Sequence, residues 1–267
     1  MTLVVIGPVT RDLIVIGEKE SHKIGGATYY QSKVFEKYFE DYLAIVNCAD
    51  ENLVDDFPAK DKVKVILKED THFFVNDYPN PDDLDVRVQS SNFADIPILK
   101  SDLEDILPSQ IDGFVLNPLN RFDFPLETIE YLKSFDVPIF ISIQGFLRVP
   151  DGEVNGNYAI GLSCFDDLSV ILKGVKSIFL DEAEANIIGT DFDVDEMVVT
   201  NGSHGSRIIS DDEIKIEAVK CENIVDTTGC GDTYMAAYIT QRLMSKSIRQ
   251  SGDFASLIAS RKISNLL

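Results

Sequence analysis

Short, nearly unbroken apolar runs alternate with amphipathic stretches along this chain, and that alternation sharply limits the folds open to it. Leu3–Ile6, Tyr42–Val46, Gly113–Leu116, Pro138–Ile143, Ser177–Leu180 and Met197–Thr200 read as strands buried on both faces. Ala27–Phe39, Leu126–Phe135, Leu168–Lys173 and Glu182–Ile188 read as the helices between them. Such a βαβ succession predicts a parallel sheet with helices on both sides, a three-layer α/β/α architecture. With 267 residues, the chain fits a single domain spanning 1–267. Its last stretch, Ser251–Leu267, predicts a final helix with Phe254, Leu257, Ile258 and Ile263 on one side.

Two regions break the pattern. Leu13–Ile16 and His22–Ile24 flank a polar turn at Gly17–Ser21. Val63–Leu67, His72–Tyr78 and Asp85–Gln89 are strand-like and separated by polar loops. Together they predict a small antiparallel β lid outside the main sheet, inserted at about 13–24 and 63–90. The lid is a candidate homodimer surface as well as a cover.

Composition removes several classes of function. The formal charge of −21 argues against binding a nucleic-acid backbone, which needs a basic face. It also means that a polyanionic ligand needs a local device: helix amides, a metal ion, or both. Four scattered cysteines without a Cys-x-x-Cys pair, and three distant histidines, argue against a structural zinc site. Reduced thiols in a cytoplasmic protein are the expectation. The opening Met-Thr-Leu-Val-Val-Ile-Gly lacks a basic n-region and reads as a first strand rather than a signal peptide. No apolar run is long enough to span a membrane.

The chemistry concentrates in Asp226-Thr-Thr-Gly-Cys-Gly-Asp232, which enters a helix at Thr233-Tyr-Met-Ala-Ala. Gly229 and Gly231 let backbone approach a ligand, and the helix start offers amides and a positive dipole end to an anion. A carboxylate in that corner would repel a bare phosphate. Asp232 makes sense if it takes a proton from a hydroxyl while the amides receive the phosphoryl group that the hydroxyl attacks. An ordinary helix N-cap is the plainer reading of Asp232. Tyr234 stands where a dinucleotide fingerprint needs its third glycine, and no Walker-type loop occurs.

Asp-Thr-x-Gly-x-Gly-Asp resembles the C-terminal signature of the ribokinase-like (PfkB) family of carbohydrate and nucleoside kinases, and other motifs follow in order. Gly25-Gly26 is similar to the family's double glycine, and Asp12 sits where members hold a substrate hydroxyl. Gln144-Gly-Phe-Leu-Arg148 is similar to an Asp-x-Asn/Gln-x-x-x-Arg segment, Asp181-Glu-Ala-Glu184 to Asn-x-x-Glu, and Thr200-Asn-Gly202 with Gly205 to a Thr-x-Gly-x-x-Gly nucleotide loop. The resemblance implies a ribokinase-like fold and transfer of the ATP γ-phosphoryl group to a small sugar, nucleoside or cyclic polyol.

It also implies residue roles. Asp232 would be the general base, a role worth about 10²–10⁴-fold. The amides of Gly229, Cys230 and Gly231 would form the anion hole. Asp12, Gly25, Gly26, Tyr30 and Arg148 would face the acceptor. Thr200, Gly202, Gly205 and Thr228 would face the nucleotide. Glu184 and Asp181 would organise Mg²⁺, and Asp226 with nearby carbonyls a K⁺-type cation.

Three departures matter: Asp181 replaces an Asn, Cys230 a commoner Ala, and Thr28-Tyr29-Tyr30 a Lys-Gly-Ala-Asn run. The two tyrosines favour an acceptor with a ring to stack, a nucleoside base or the apolar face of a cyclic polyol; lining of the core is the alternative. Two other readings are a catalytically silent member acting as a sensor or assembly protein, and a vitamin or hydroxymethylpyrimidine kinase. The intact Asp232 and glycines weigh against the first, and the lid against the second.

Overall fold

The computed structural model describes residues 2–80, 88–221 and 223–267. In chain order its strands are β1 (Leu3–Ile6), β2 (Thr10–Ile16), β3 (Lys19–Gly25), β4 (Tyr42–Cys48), β5 (Val63–Leu67), β6 (His72–Tyr78), β7 (Val88–Ser91) and β8 (Gly113–Leu116). They continue with β9 (Ile139–Ser142), β10 (Arg148–Val154), β11 (Asn157–Leu162), β12 (Val175–Asp181), β13 (Val194–Thr200), β14 (Ser206–Ile209) and β15 (Glu213–Ile216). The helices are α1 (Ala27–Tyr38), α2 (Lys100–Glu104), α3 (Leu126–Lys133), α4 (Gln144–Leu147), α5 (Leu168–Leu172), α6 (Glu182–Ile188), α7 (Cys230–Leu243) and α8 (Ile248–Ile263).

The main sheet has nine strands in the order β15-β14-β13-β12-β9-β8-β1-β4-β5. It is parallel from β13 to β5, with β14 and β15 added antiparallel. Successive side chains alternate between two cores. Leu3, Val5, Val115, Phe140 and Phe179 face a cluster completed by α1, α7 and α8. Val4, Ile6, Phe114, Leu116 and Ile178 face another, completed by α3, α5 and α6. Apolar surface on both faces of each central strand thus demands helices on both sides, and three layers result.

Helix α7 is the pivot of the first core. Thr233 to Tyr238, and on through Ile239 and Thr240, are all buried, as expected of a helix apolar all round. Its register is set by the buried carboxylate of Glu196 on β13. That group accepts from Tyr238 Oη (2.8 Å), Arg242 Nη2 (2.5 Å) and Ser177 Oγ (3.2 Å). This charge-assisted node anchors the second half of α7 to β13 and β12.

The second sheet has six strands, ordered β10-β11-β7-β6-β2-β3. It differs from expectation in three ways. Val63–Leu67 belongs to the main sheet, pairing parallel with β4 as its edge strand. Only Ile66 of that strand is buried, and this half-exposure gave it the alternation of a lid strand. Second, β2 and β6 pair in parallel, so the lid is mixed rather than purely antiparallel. Third, β10 and β11 form an additional hairpin around Asn155-Gly156, with φ of 51° and 80° at those residues, as a two-residue primed turn requires. Asp85, Val86 and Arg87 of the expected strand lie outside the described residues.

The short helix α4 passes tightly over the loop after β8. A Cβ on Gly145 would overlap the Pro118 carbonyl and lie 2.7 Å from Leu119 N. Both obstacles are backbone, which cannot rotate away. Gly145→Ala is therefore expected to cost about 1–3 kcal/mol of stability, read as a lowered urea midpoint. An unchanged midpoint would show that this loop yields.

Candidate active site

A cleft opens between the lid and the carboxyl ends of the parallel strands, where open α/β sheets place their ligands. Thr10, Asp12, Phe74, Asn76, Gln89 and Arg148 line it from the lid side, Tyr30 from α1, and Thr227 to Asp232 from the start of α7. The expected helix-start residues, Gly26 of the double glycine, Asp12 and Arg148 thus meet in one place.

Gly229 sits at φ 72° and its Cβ would come within 2.5 Å of Tyr30 Cδ2. Both facts require glycine there. Gly231 is different. A Cβ there would meet nothing within 4 Å, and no positive φ demands glycine. Glycine inside a helix costs about 1 kcal/mol relative to alanine, so position 231 is open without a reason internal to the fold. Of the three expected anion-hole amides, that of Cys230 donates to Thr227 O at 3.1 Å and closes the entry turn. Burial pushes the Cys230 thiol up to about 11, so it remains protonated at neutral pH and is no nucleophile.

Asp12 is buried, accepts from Thr10 Oγ1 at 2.6 Å, and lies against Gly25, whose Cβ would overlap its Oδ2. Gly26 takes φ 94° under the Pro8 carbonyl and starts α1. Tyr30 lines the cleft, whereas Tyr29 packs edge-on against Phe57 and beneath Lys33. Burial and the charges of Asp12, Asp226 and Asp232 all raise the Tyr30 pKa, so its hydroxyl stays protonated among them.

Arg148 opens β10 and donates to Gln89 Oε1 (3.2 Å), and Gln89 donates to Asn76 Oδ1 (2.8 Å). Its guanidinium stacks over Phe74 at 5.2 Å. Asn76, Gln89, Phe74 and Thr10 were missed from sequence. The available signal was a polar residue, Asn76, on the buried phase of β6.

Asp181 and Glu184 form a reciprocal capping box on α6: Glu184 N–H donates to Asp181 Oδ1 (2.8 Å) and Asp181 N–H to Glu184 Oε2 (2.9 Å). Burial first, then the charges of Asp181 and Asp232, push Glu184 up to about 7, against the opposing pull of Arg148. Thr200 pairs beside Asp181 at the strand ends, and Gly202 and Gly205 turn the chain from β13 into β14. Thr228 donates its N–H to Asp226 Oδ1 at 2.9 Å. Asp226 is not brought together with Asp181 and Glu184. Its Oδ2 faces Lys23 at 3.1 Å and Lys262 at 3.8 Å. Burial would raise its pKa, but the Lys262 charge and the Thr228 bond prevail and lower it.

Among the described residues no cluster of His, Cys, Asp or Glu side chains is arranged to cage a metal ion. Mutual repulsion of Glu184, Asp181 and Asp232 nevertheless fits a hydrated Mg²⁺ that keeps most of its own ligands. A K⁺ ion at Asp226 does not fit, because two ammonium groups already face its carboxylate.

Residues 180–266 match the family model of pfkB family carbohydrate kinases. A structure of a pyrophosphate-dependent kinase in the ribokinase family, with a pyrophosphate analogue and myo-inositol, superposes with TM-score 0.79 at 21% identity, covering 98% of this chain and 94% of that one. The Arabidopsis thaliana ribokinase complexed with ribose and ATP superposes at TM-score 0.71 and 18% identity, covering 98% and 92%. The chain has the ribokinase-like fold. A Methanothermobacter thermautotrophicus nucleoside kinase is 45% identical over 64 residues, 24% of this chain and 20% of that protein. Its match, and that of a second archaeal nucleoside kinase, span 20% and 33% of the relatives' own lengths. PfkB family kinases are phosphotransferases, and the part of this ribokinase-like fold that matches their model contains the corner at 229–232. Among the described residues no helix is long and apolar enough to cross a membrane.

Glu184 yields a pH prediction. The folded protein keeps its proton up to about pH 7, whereas the unfolded chain loses it near the ordinary 4.5. The folded state therefore binds more protons between those values, and stability falls as pH rises through that window. Glu184→Gln retains the capping acceptor and removes the titration. In metal-free urea unfolding, wild type should lose stability relative to the variant up to about pH 7 and then run parallel. Parallel curves throughout would contradict this environment for Glu184.

Proposed function

We propose that the protein transfers a phosphoryl group from ATP to a hydroxyl of a small polyhydroxylated acceptor, a sugar or cyclic polyol. The observation that carries this reading is Gly231. It is a helix-start glycine that the fold does not need, beside Asp232, on the same cleft as the buried Asp12. Clearance there would make room for a phosphoryl group, and the carboxylate next to it would accept the hydroxyl proton. Phosphoryl transfer asks mainly for alignment and charge compensation, which amides, Arg148 and a lid supply.

In this reading Asp12 orients the acceptor and the Arg148–Gln89–Asn76 relay meets its outer hydroxyls. Phe74 and Tyr30 cover its apolar face. Gly229 and Gly231 amides receive the phosphoryl oxygens, while the Cys230 amide keeps the turn. Glu184 and Asp181 would hold Mg²⁺ through water; when bound, the ion neutralises phosphate charge. Thr200, Gly202 and Gly205 flank the donor. Closing the lid over the acceptor excludes water and limits ATP hydrolysis. Four unpaired cysteines are in keeping with a cytoplasmic setting.

A mostly polar, Asp12-lined cleft favours the polyol. The nucleoside reading is kept because the local sequence match is to nucleoside kinases and two rings, Tyr30 and Phe74, reach the cleft.

ADP release from ATP, screened over sugars, inositols and nucleosides, tests the proposal. With the best acceptor, Asp232→Asn should lower kcat at least about 100-fold while leaving melting nearly unchanged. Turnover near wild type would remove the base assignment, and no acceptor-dependent ADP release would favour the silent-member reading.

A further inference from the structure

We propose that the ammonium group of Lys262 is a built-in cation for the loop that carries the glycine corner. It stands in the place that the family resemblance reserves for a monovalent metal ion at Asp226. Lys262 lies near the end of α8 with its side chain only 11% exposed. Its Nζ donates to the Asp226 main-chain oxygen at 2.8 Å and lies 3.8 Å from Oδ2 of the same residue. It also lies 5.6 Å from the centroid of the Tyr30 ring, the ring that packs against Gly229.

The same helix end straps the loop by backbone. Val225 N–H and Asp226 N–H donate to Ile263 O at 2.9 and 3.4 Å. From the other side, Lys23 on lid strand β3 reaches Asp226 Oδ2 at 3.1 Å. One carboxylate and its own carbonyl are thus held by two ammonium groups, one from the lid and one from the body. A metal ion at this point would meet like charge from both.

A cation here fixes the direction of the Asp226 carbonyl and, through Thr228 and Gly229, the amides that follow. In many enzymes such a task falls to a dissociable ion; here it is covalently tethered and always present. Lys262 is on this account a positioning residue, and the corner's geometry is independent of K⁺. Thr233 Oγ1 is buried, has no hydrogen-bond partner among the described residues, and lines the cavity beside Lys262. Removing the lysine side chain therefore leaves oxygen atoms that a small cation can use.

The inference rests on the kinase reading only for its activity readout. Wild type and Lys262→Ala are compared in KCl, ammonium chloride and choline chloride at equal ionic strength, by melting temperature and by ADP release. Wild type is expected to show the same Tm and kcat in all three salts. Lys262→Ala is expected to melt lower and lose about tenfold or more in kcat in choline, with both recovered in K⁺ or NH₄⁺. A wild-type protein specifically stabilised or activated by K⁺ would overturn the proposal. So would a Lys262→Ala protein that is unaffected in choline, or one that no small cation restores. Lys262→Met, which keeps the aliphatic stem, serves if the alanine variant does not fold. If wild type turns over no acceptor, the kinase reading fails while the melting comparison still decides the role of Lys262.

Discussion

The packing of Gly229 against Tyr30 is the contact on which the site depends. Any side chain at 229 would drive into the ring, and its φ of 72° sets the direction in which α7 leaves the loop. Tyr30 in turn is held by α1, which begins at the double glycine beneath the lid. One contact therefore ties α1, the glycine corner and the central helix into a fixed relation. Glu196, by fixing the far half of α7 through Tyr238 and Arg242, keeps that relation from sliding along the helix.

Charge is the second organising term. The cleft gathers carboxylates in a chain already at −21, and burial first, with their repulsion added, raises the proton affinity of Glu184 and Tyr30. Cationic groups are placed where that repulsion would otherwise be worst: Arg148 toward Glu184, and Lys23 and Lys262 at Asp226. In the proposed reading, this balance would let the cleft receive a polyphosphate with a divalent ion beside Asp232 as proton acceptor.

The main sheet was legible because strands buried on both faces cannot avoid being continuous apolar runs, as at Leu3–Ile6 and Gly113–Leu116. Val63–Leu67 misled because an edge strand has one shielded side and one wet side, like a lid strand. The β10–β11 hairpin left one clear mark, Asn155-Gly156; β10 is mostly polar and exposed, and Tyr158 to Leu162 of β11 form an apolar run too short and too little buried to stand out. Cleft-lining residues inside motifs, Asp12, Gly229 and Asp232, could be picked out locally. Asn76 and Gln89 could not, because their role exists only once the lid strands pair. The same holds for Asp226: its lysines lie 203 and 36 residues away, so a motif that suggested a metal ligand became an ion-pair node only in three dimensions.

The proposed chemistry requires the transferred phosphoryl group to sit at the corner Gly229–Asp232. A crystal structure with orthovanadate bound would test this most directly. A vanadate oxygen is expected within about 2.7–3.2 Å of the Gly229 or Gly231 amide, beside Asp232 and open to the Asp12 side of the cleft. Vanadate absent from the corner, or held only by surface lysines such as Lys33 or Lys37, would contradict it.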